Sequence, residues 1–173
     1  MYRLPPGAGE TELAELLHYW ESKRRGALLP SRADIDPIDL RRLLPQILLS
    51  EVVRAAAGLR FRFRLAGTAF TTLVGRDVTG LFLDELGPPD RVAPVHRAMT
   101  AVVEHARPAY LVSHVTVRSE EYLMAKRLGV PLAADGRNVD MVLAVWLARP
   151  RAPGDLASGA EVDEGLPILL EGN

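Results

Sequence analysis

The sequence predicts an α+β domain in which helices cover one face of an antiparallel sheet. Two observations support this prediction. Short segments in which apolar and polar residues alternate with period two fall into two groups, one before and one after a helical middle section. Turn-forming residues separate neighbouring strands within each group, which is typical of hairpins and not of parallel β-α-β units. A leading hairpin, helices and a trailing meander therefore build one sheet.

The first predicted element is an amphipathic helix over residues 11–25. Its apolar side chains recur at i, i+3, i+4 and i+7 and form one stripe, made of Leu13, Leu16, Leu17 and Trp20. Gly26 suits the position that follows the last helical residue. A shorter second helix is predicted next, because Asp36 can cap it, Pro37 suits its first position and Pro45 ends it.

The leading hairpin is predicted from residues 46–54 and 59–66. In its second strand, basic and apolar side chains alternate, with Arg60, Arg62 and Arg64 on one side and Phe61, Phe63 and Leu65 on the other. We interpret the arginines as a solvent-facing stripe and the apolar residues as part of the core. The alternation stops at Gly67, and a short helix over residues 68–74 follows. A half-buried strand that runs into a short helix indicates a small pocket between them.

The second half of the chain begins with a helix predicted over residues 91–106 and capped by Asp90. Its buried face is assigned to Val92, Val95, Met99, Val103 and Ala106. Three strands follow, over residues 110–118, 121–128 and 138–148, and Asp135-Gly136 marks the last turn. In the last strand, Trp146 falls on the side opposite the expected core face, which is formed by Val139, Met141, Leu143, Val145 and Leu147.

Composition excludes several classes of function. The chain has 173 residues, a net charge of −1 and 48% hydrophobic residues, which suits one domain with a real core. These values give no support for nucleic-acid or membrane partners, and no run reaches the roughly 18 apolar residues of a membrane span. The absence of cysteine excludes disulfides, thiolate nucleophiles and zinc–thiolate sites. No catalytic or metal-binding motif occurs, so we expect a cytoplasmic binding protein without catalytic residues or a metal site.

Several short motifs together resemble one known family. They are Leu29-Pro30-Ser31-Arg32, Asp34-Ile35-Asp36-Pro37, Phe61 to Thr68 (FRFRLAGT), Gly75 to Gly80 (GRDVTG), and Pro131-Leu132 with Asp135-Gly136 and Val139-Asp140-Met141. With the predicted order of elements, they resemble the PAS domain, and within it the short stand-alone PAS-like proteins common in alphaproteobacteria. The resemblance covers residues 17–148. It implies a PAS fold with a five-stranded antiparallel sheet, and a sensory, ligand-binding or protein-interaction role in bacterial signalling.

On this resemblance the chain divides into a disordered N-terminus (1–10), an N-terminal helical segment (11–45), a PAS core (46–148) and a flexible C-terminal tail (149–173). The expected partner is an unknown small molecule or a signalling protein. PAS domains often dimerise through leading helices and the sheet, so we predict a homodimer whose interface contains Leu13, Leu16, Leu17, Trp20 and Trp146. In a second interpretation, the helical stripe packs on its own sheet.

The candidate pocket residues are Phe61, Phe63, Phe70, Leu73, His96, Met99 and Val103, together with Arg64 and Thr68, whose polar side chains would orient a ligand. In PAS haem sensors the iron ligand is a histidine on the same helix as His96, so the resemblance leaves haem open. The ordinary interpretation of His96 is a core histidine bonded to a neighbour. The cofactor is therefore unknown. Without cysteine, neither a cysteinyl-flavin adduct nor a thioester-linked coumaryl chromophore can form.

The segment Gly75 to Gly80 is not a phosphate loop, because Leu81-Phe82 follow it in place of Lys-Ser/Thr. We expect Gly75 and Gly80 to supply positive φ angles, and Asp77 to form an Asx-turn.

Two alternative functions stay open. In a small cone-shaped α+β enzyme of the ketosteroid-isomerase type, Asp140 with Tyr110 or Tyr122 would supply the base and the hydrogen-bond donor. A ligand-free dimerisation scaffold is the other alternative, and a pocket filled with side chains would indicate it.

Overall fold

A computed structural model describes residues 1–117, 121–150 and 165–172. For residues 114–117, 121–122 and 150 it describes the backbone alone. In chain order the helices and strands are α1 (Thr11–Lys23), β1 (Ile47–Ala55), β2 (Gly58–Ala66), α2 (Thr68–Val74), α3 (Pro89–His105), β3 (Ala109–Val117), β4 (Glu121–Leu132), β5 (Met141–Pro150) and β6 (Ile168–Leu169). The strands form one antiparallel sheet in the order β2-β1-β5-β4-β3-β6. The predicted α+β class and antiparallel sheet are confirmed, with six strands in place of five.

The sixth strand lies in the segment that we expected to be a flexible tail. Ile168 and Leu169 pair with β3, and the neighbouring Leu170 is buried. A two-residue strand has no periodicity that a sequence pattern could reveal. Within the tail, residues 165–172 are therefore part of the folded structure.

The N-terminal ten residues, which we expected to be disordered, also contact the core. Ala8 is buried, and the Lys126 Nζ lies 3.3 Å from its carbonyl oxygen and 3.0 Å from the Glu10 carboxylate. The Tyr2 ring packs edge-on against Trp20 at 5.6 Å between centroids. These partners are remote in sequence, which is why composition alone did not predict them.

Helices cover both faces of the sheet, which corrects the prediction of one covered face. We call the face toward α2 and α3 the inner face, and the face toward α1 the outer face. The α1 stripe of Leu13, Leu16, Leu17 and Trp20 is buried, and the Trp20 Nε1 donates a hydrogen bond of 2.7 Å to the Pro131 carbonyl in β4. The stripe therefore packs on its own sheet, so it is not available as a dimer interface.

The second predicted helix, between Asp36 and Pro45, is a series of turns. The Asp36 carboxylate accepts the Ile38 amide at 2.8 Å, and the Leu43 amide bonds to the Leu40 carbonyl three residues earlier. The two prolines leave too short a segment to offset the cost of nucleating a helix.

A membrane span requires a helix of sufficient length and hydropathy, and none of the described helices meets both requirements.

The junction of β2 and α2 depends on a glycine. The Gly67 amide donates to the Ile47 carbonyl at 2.8 Å, and a Cβ at Gly67 would lie 2.3 Å from the carbonyl oxygens of Leu44 and Pro45. Its φ of −65° is ordinary, so this position requires space and not an unusual backbone conformation.

We expect Gly67→Ala to lower the free energy of unfolding by about 3 kcal/mol or more, because backbone atoms cannot move away from the added methyl group. Gly75→Ala is the matched control. Gly75 has a φ of 78° and open space around it, so alanine there should cost only about 1 kcal/mol of backbone strain. Urea unfolding of both variants measures the difference, and equal losses would contradict the steric explanation.

Candidate ligand-binding site

A cavity of about 170 Å³ lies between the inner face of the sheet and the helices α2 and α3. Strands β1 to β5 form its floor, and α2, α3 and the turn over residues 83–86 form its cover. Most of the lining side chains are aliphatic or aromatic. The pocket predicted between β2 and the helices therefore exists, but it extends across the sheet.

Four of the nine candidate pocket residues line the cavity: Phe63, Phe70, Leu73 and Met99. On α3, Val92, Val95 and Met99 of the predicted face line the cavity. Ala98 and Val102 line it in place of Val103 and Ala106, so the lining face is turned slightly from the predicted one. Val103 is part-buried but lies outside the lining, as do Phe61 and the exposed Thr68.

His96 is bonded to the chain beside the cavity. Its Nε2 lies 2.9 Å from the Leu59 carbonyl oxygen, so this nitrogen donates, and its ring packs edge-on against Phe61 at 5.3 Å. Its Nδ1 lies 3.5 Å from the Thr100 hydroxyl. Neither nitrogen is presented to the cavity, which matches the core-histidine interpretation and does not fit a haem ligand. In the described part of the chain, no group of three His, Cys, Asp or Glu residues has metal-binding geometry.

The arginine stripe of β2 is paired with carboxylates of the same chain. Arg60 bonds to Asp84 at 2.9 Å, and this interaction holds the pKa of the Asp84 carboxyl below its usual value. Arg62 bonds to Glu51 at 2.7 Å. Arg64, which we expected to guide a ligand, does not line the cavity, and its guanidinium lies 3.9 Å from Glu51. Local carboxylates thus largely neutralise the stripe.

The polar residues that do line the cavity were not predicted from sequence. Arg127 of β4 lies directly opposite Trp146 of β5, and its Nη1 donates to the hydroxyl of Ser113 on β3. Burial lowers the pKa of the Arg127 guanidinium to about 10, so it remains charged at neutral pH. No carboxylate of the described residues lies within 4 Å of it.

Trp146 is 3% exposed and packs edge-on against Phe70, with ring centroids 5.2 Å apart. Its indole Nε1 is buried without an acceptor among the described residues. We had assigned Trp146 to a dimer interface, and the structure places it inside the protomer. The error has a physical cause: β5 is apolar on both sides because both of its faces are covered.

The acid–base pair of the isomerase alternative is not assembled. The Asp140 carboxylate accepts the Ala134 amide at 2.8 Å and so caps a turn. Tyr110 lies on the outer face, where burial raises its pKa to about 12. Neither residue lines the cavity, and the side chain of Tyr122 lies outside the described residues.

The structure confirms the expected role of the glycine-bounded segment after α2. Gly75 and Gly80 have φ angles of 78° and 88°. The Asp77 carboxylate accepts the Thr79 amide at 2.9 Å, and this bond lowers the pKa of the Asp77 carboxyl. The segment therefore forms turns at the end of α2.

Two adjacent valines on α3 test the observed orientation of this helix. We expect Val102→Ala to lower the free energy of unfolding by about 2 kcal/mol, because Val102 is 1% exposed and lines the cavity. Val103→Ala removes the same atoms from a part-buried site and should cost less than about 1 kcal/mol. Chemical denaturation measures both, and a larger loss at Val103 would support the orientation expected from the sequence.

Comparison with known proteins gives a family and a fold. A family model described as "PAS domain" matches residues 10–146. No curated protein matches the sequence significantly. Among solved structures, the PAS domain of Bordetella pertussis BvgS superposes with a TM-score of 0.50 at 16% identity, covering 71% of this chain and 93% of that chain. A Rhodobacter sphaeroides LOV protein gives 0.47 at 14% identity, covering 69% and 72% respectively.

Proposed function

The chain belongs to the PAS domain family of sensory and signalling modules, and from that premise we propose that it senses a small molecule bound in its inner-face cavity. One observation carries the proposal: the apolar cavity of about 170 Å³ between the sheet and α3. Protein interiors are normally packed with few voids larger than a water molecule. A space of this size is therefore a feature that a ligand would fill.

The volume limits the size of the ligand. An apolar cavity of about 150 Å³ is enough to hold a benzene-sized molecule. The cavity of this protein would thus accept one substituted ring or a short acyl chain, with most of the ligand surface against apolar side chains.

A signal requires that ligand binding favours one packing of the domain over another. The cavity is covered by α2, α3 and the turn over residues 83–86, and these elements would gain contacts when a ligand fills it. The cover is therefore the part of the domain whose position would report occupancy.

The alternatives have less support. A catalytic role would need an acid–base pair at the cavity, and Asp140 and Tyr110 lie elsewhere. A pure scaffold would be expected to fill its interior. A homodimer stays a prediction, but its interface would have to use residues other than the buried α1 stripe and Trp146.

Filling the cavity tests the proposal. Ala144 lines the cavity, so Ala144→Leu should weaken the binding of benzoate and benzyl alcohol at least tenfold by occupying the same space. Ala101→Leu is the control, because Ala101 lies on α3 outside the lining. Isothermal titration calorimetry and native mass spectrometry measure the binding. If the unmodified protein binds neither probe and carries no co-purified small molecule, the proposal is wrong.

A further inference from the structure

We propose that the ligand is a small monocarboxylate with an apolar body, and that Arg127 binds its carboxylate. This inference rests on the proposed function and adds the chemical class of the ligand. It follows from the charge of the cavity lining, from the surroundings of Arg127 and from a second unpaired donor beside it.

Among the described residues, the lining carries positive charge and no compensating negative charge. Two of the lining side chains, Arg91 and Arg127, are cationic, and none is a carboxylate. Arg91 is exposed at the start of α3, where water hydrates it. Arg127 lies in a central strand, between β3 and β5. It is part-buried, and its burial lowers the pKa of the guanidinium. The cavity therefore favours an anion over a neutral molecule or a cation.

Arg127 differs from other arginines of this chain. Arg60 and Arg62 are part-buried, with side chains that are 40% and 37% exposed, and each pairs with a carboxylate. Arg127 is more costly to leave uncompensated, since burial of an unpaired charge is unfavourable. Its hydrogen-bond partner among the described residues is the neutral Ser113 hydroxyl. A guanidinium has five N–H donors, so donors remain for a ligand.

A second donor adjoins Arg127. Trp146 is its cross-strand partner on the inner face, and the guanidinium carbon lies 5.9 Å from the centre of the Trp146 ring. The indole Nε1 of Trp146 is buried and has no acceptor in the described part of the chain. A carboxylate has two oxygens that accept several hydrogen bonds, so one carboxylate can satisfy both side chains.

The other lining side chains determine the polarity of the part of the ligand outside its carboxylate. Phe63, Phe70, Leu73, Val95 and Met99 offer apolar surface only. A second carboxylate placed there would lose its hydration without gaining a partner. One carboxylate on a ring or a short chain therefore matches both the polarity and the volume of the cavity.

The experiment compares two probes of nearly equal size, benzoate and benzyl alcohol, by titration of ¹⁵N-labelled protein at neutral pH. We expect the unmodified protein to bind benzoate at least tenfold more tightly. The indole N–H signal of Trp146 should shift, because it gains an acceptor. The indole of Trp20, already bonded to Pro131, is an internal control that should not move.

Three variants assign the effect. Arg127→Met should abolish the preference for benzoate and leave the binding of benzyl alcohol within about threefold, since it removes the charge and keeps an apolar chain. Arg127→Lys should retain part of the preference. Arg91→Met removes the other lining cation and should change benzoate binding less than threefold, because Arg91 is exposed. An unmoved Trp20 indole signal verifies that each variant is folded.

The outcomes separate this inference from the proposed function. If benzyl alcohol binds as tightly as benzoate, or if Arg127→Met keeps the preference, the cavity binds ligands but the assignment of Arg127 is wrong. If neither probe binds the unmodified protein and no small molecule co-purifies with it, the proposed function fails and this inference fails with it; a co-purified molecule without a carboxylate contradicts this inference alone. Preference for benzoate that disappears in Arg127→Met and persists in Arg91→Met supports the assignment.

Discussion

The packing of α1 on the outer face of the sheet is the contact on which the rest of the structure depends. Four large side chains of α1 are buried there, and burial of each contributes about 1.5–3 kcal/mol. The Trp20 hydrogen bond to Pro131 fixes the position of the helix along β4. This second layer gives the sheet a well-packed core on its outer face. The sheet therefore stays stable although the inner face contains an unfilled space.

Polar groups are distributed according to the same division into two faces. On and near β2, arginines reach carboxylates and water, so their charges are compensated at little cost. On the inner face, the described structure places an arginine and an indole donor against apolar walls without a carboxylate. Buried polar groups normally have hydrogen-bond partners, so the lack of partners at these two side chains needs an explanation. Hydrogen bonds to a ligand would be that explanation.

Both edges of the sheet are protected by short segments. At one edge, the Phe63 amide and carbonyl bond to Leu81 and Gly80, so a short turn covers β2. At the other edge, β6 pairs with the first residues of β3. Covered edges limit association with other chains through strand pairing. The turn after Gly80 also continues into residues 83–86, so edge protection and the cavity cover share one stretch of chain.

The sequence alone determined the features that depend on neighbouring residues. The α1 stripe, the hairpin of β1 and β2, the glycine-bounded turns and the antiparallel order all arise from local periodicity and turn chemistry. Part of the cavity was also predictable: Phe63, Phe70 and Leu73 because α2 directly follows β2, and Met99 because the periodicity of α3 places it on the apolar face.

Only the tertiary structure decided which side of each central strand faces the cavity. With α1 on one face and α3 on the other, both sides of β4 and β5 are buried, so alternation no longer distinguishes inside from outside. For this reason Trp146 was assigned to the wrong surface and Arg127 was overlooked. The short β6 and the N-terminal contacts to Lys126 and Trp20 likewise join residues far apart in the chain, which no local pattern encodes.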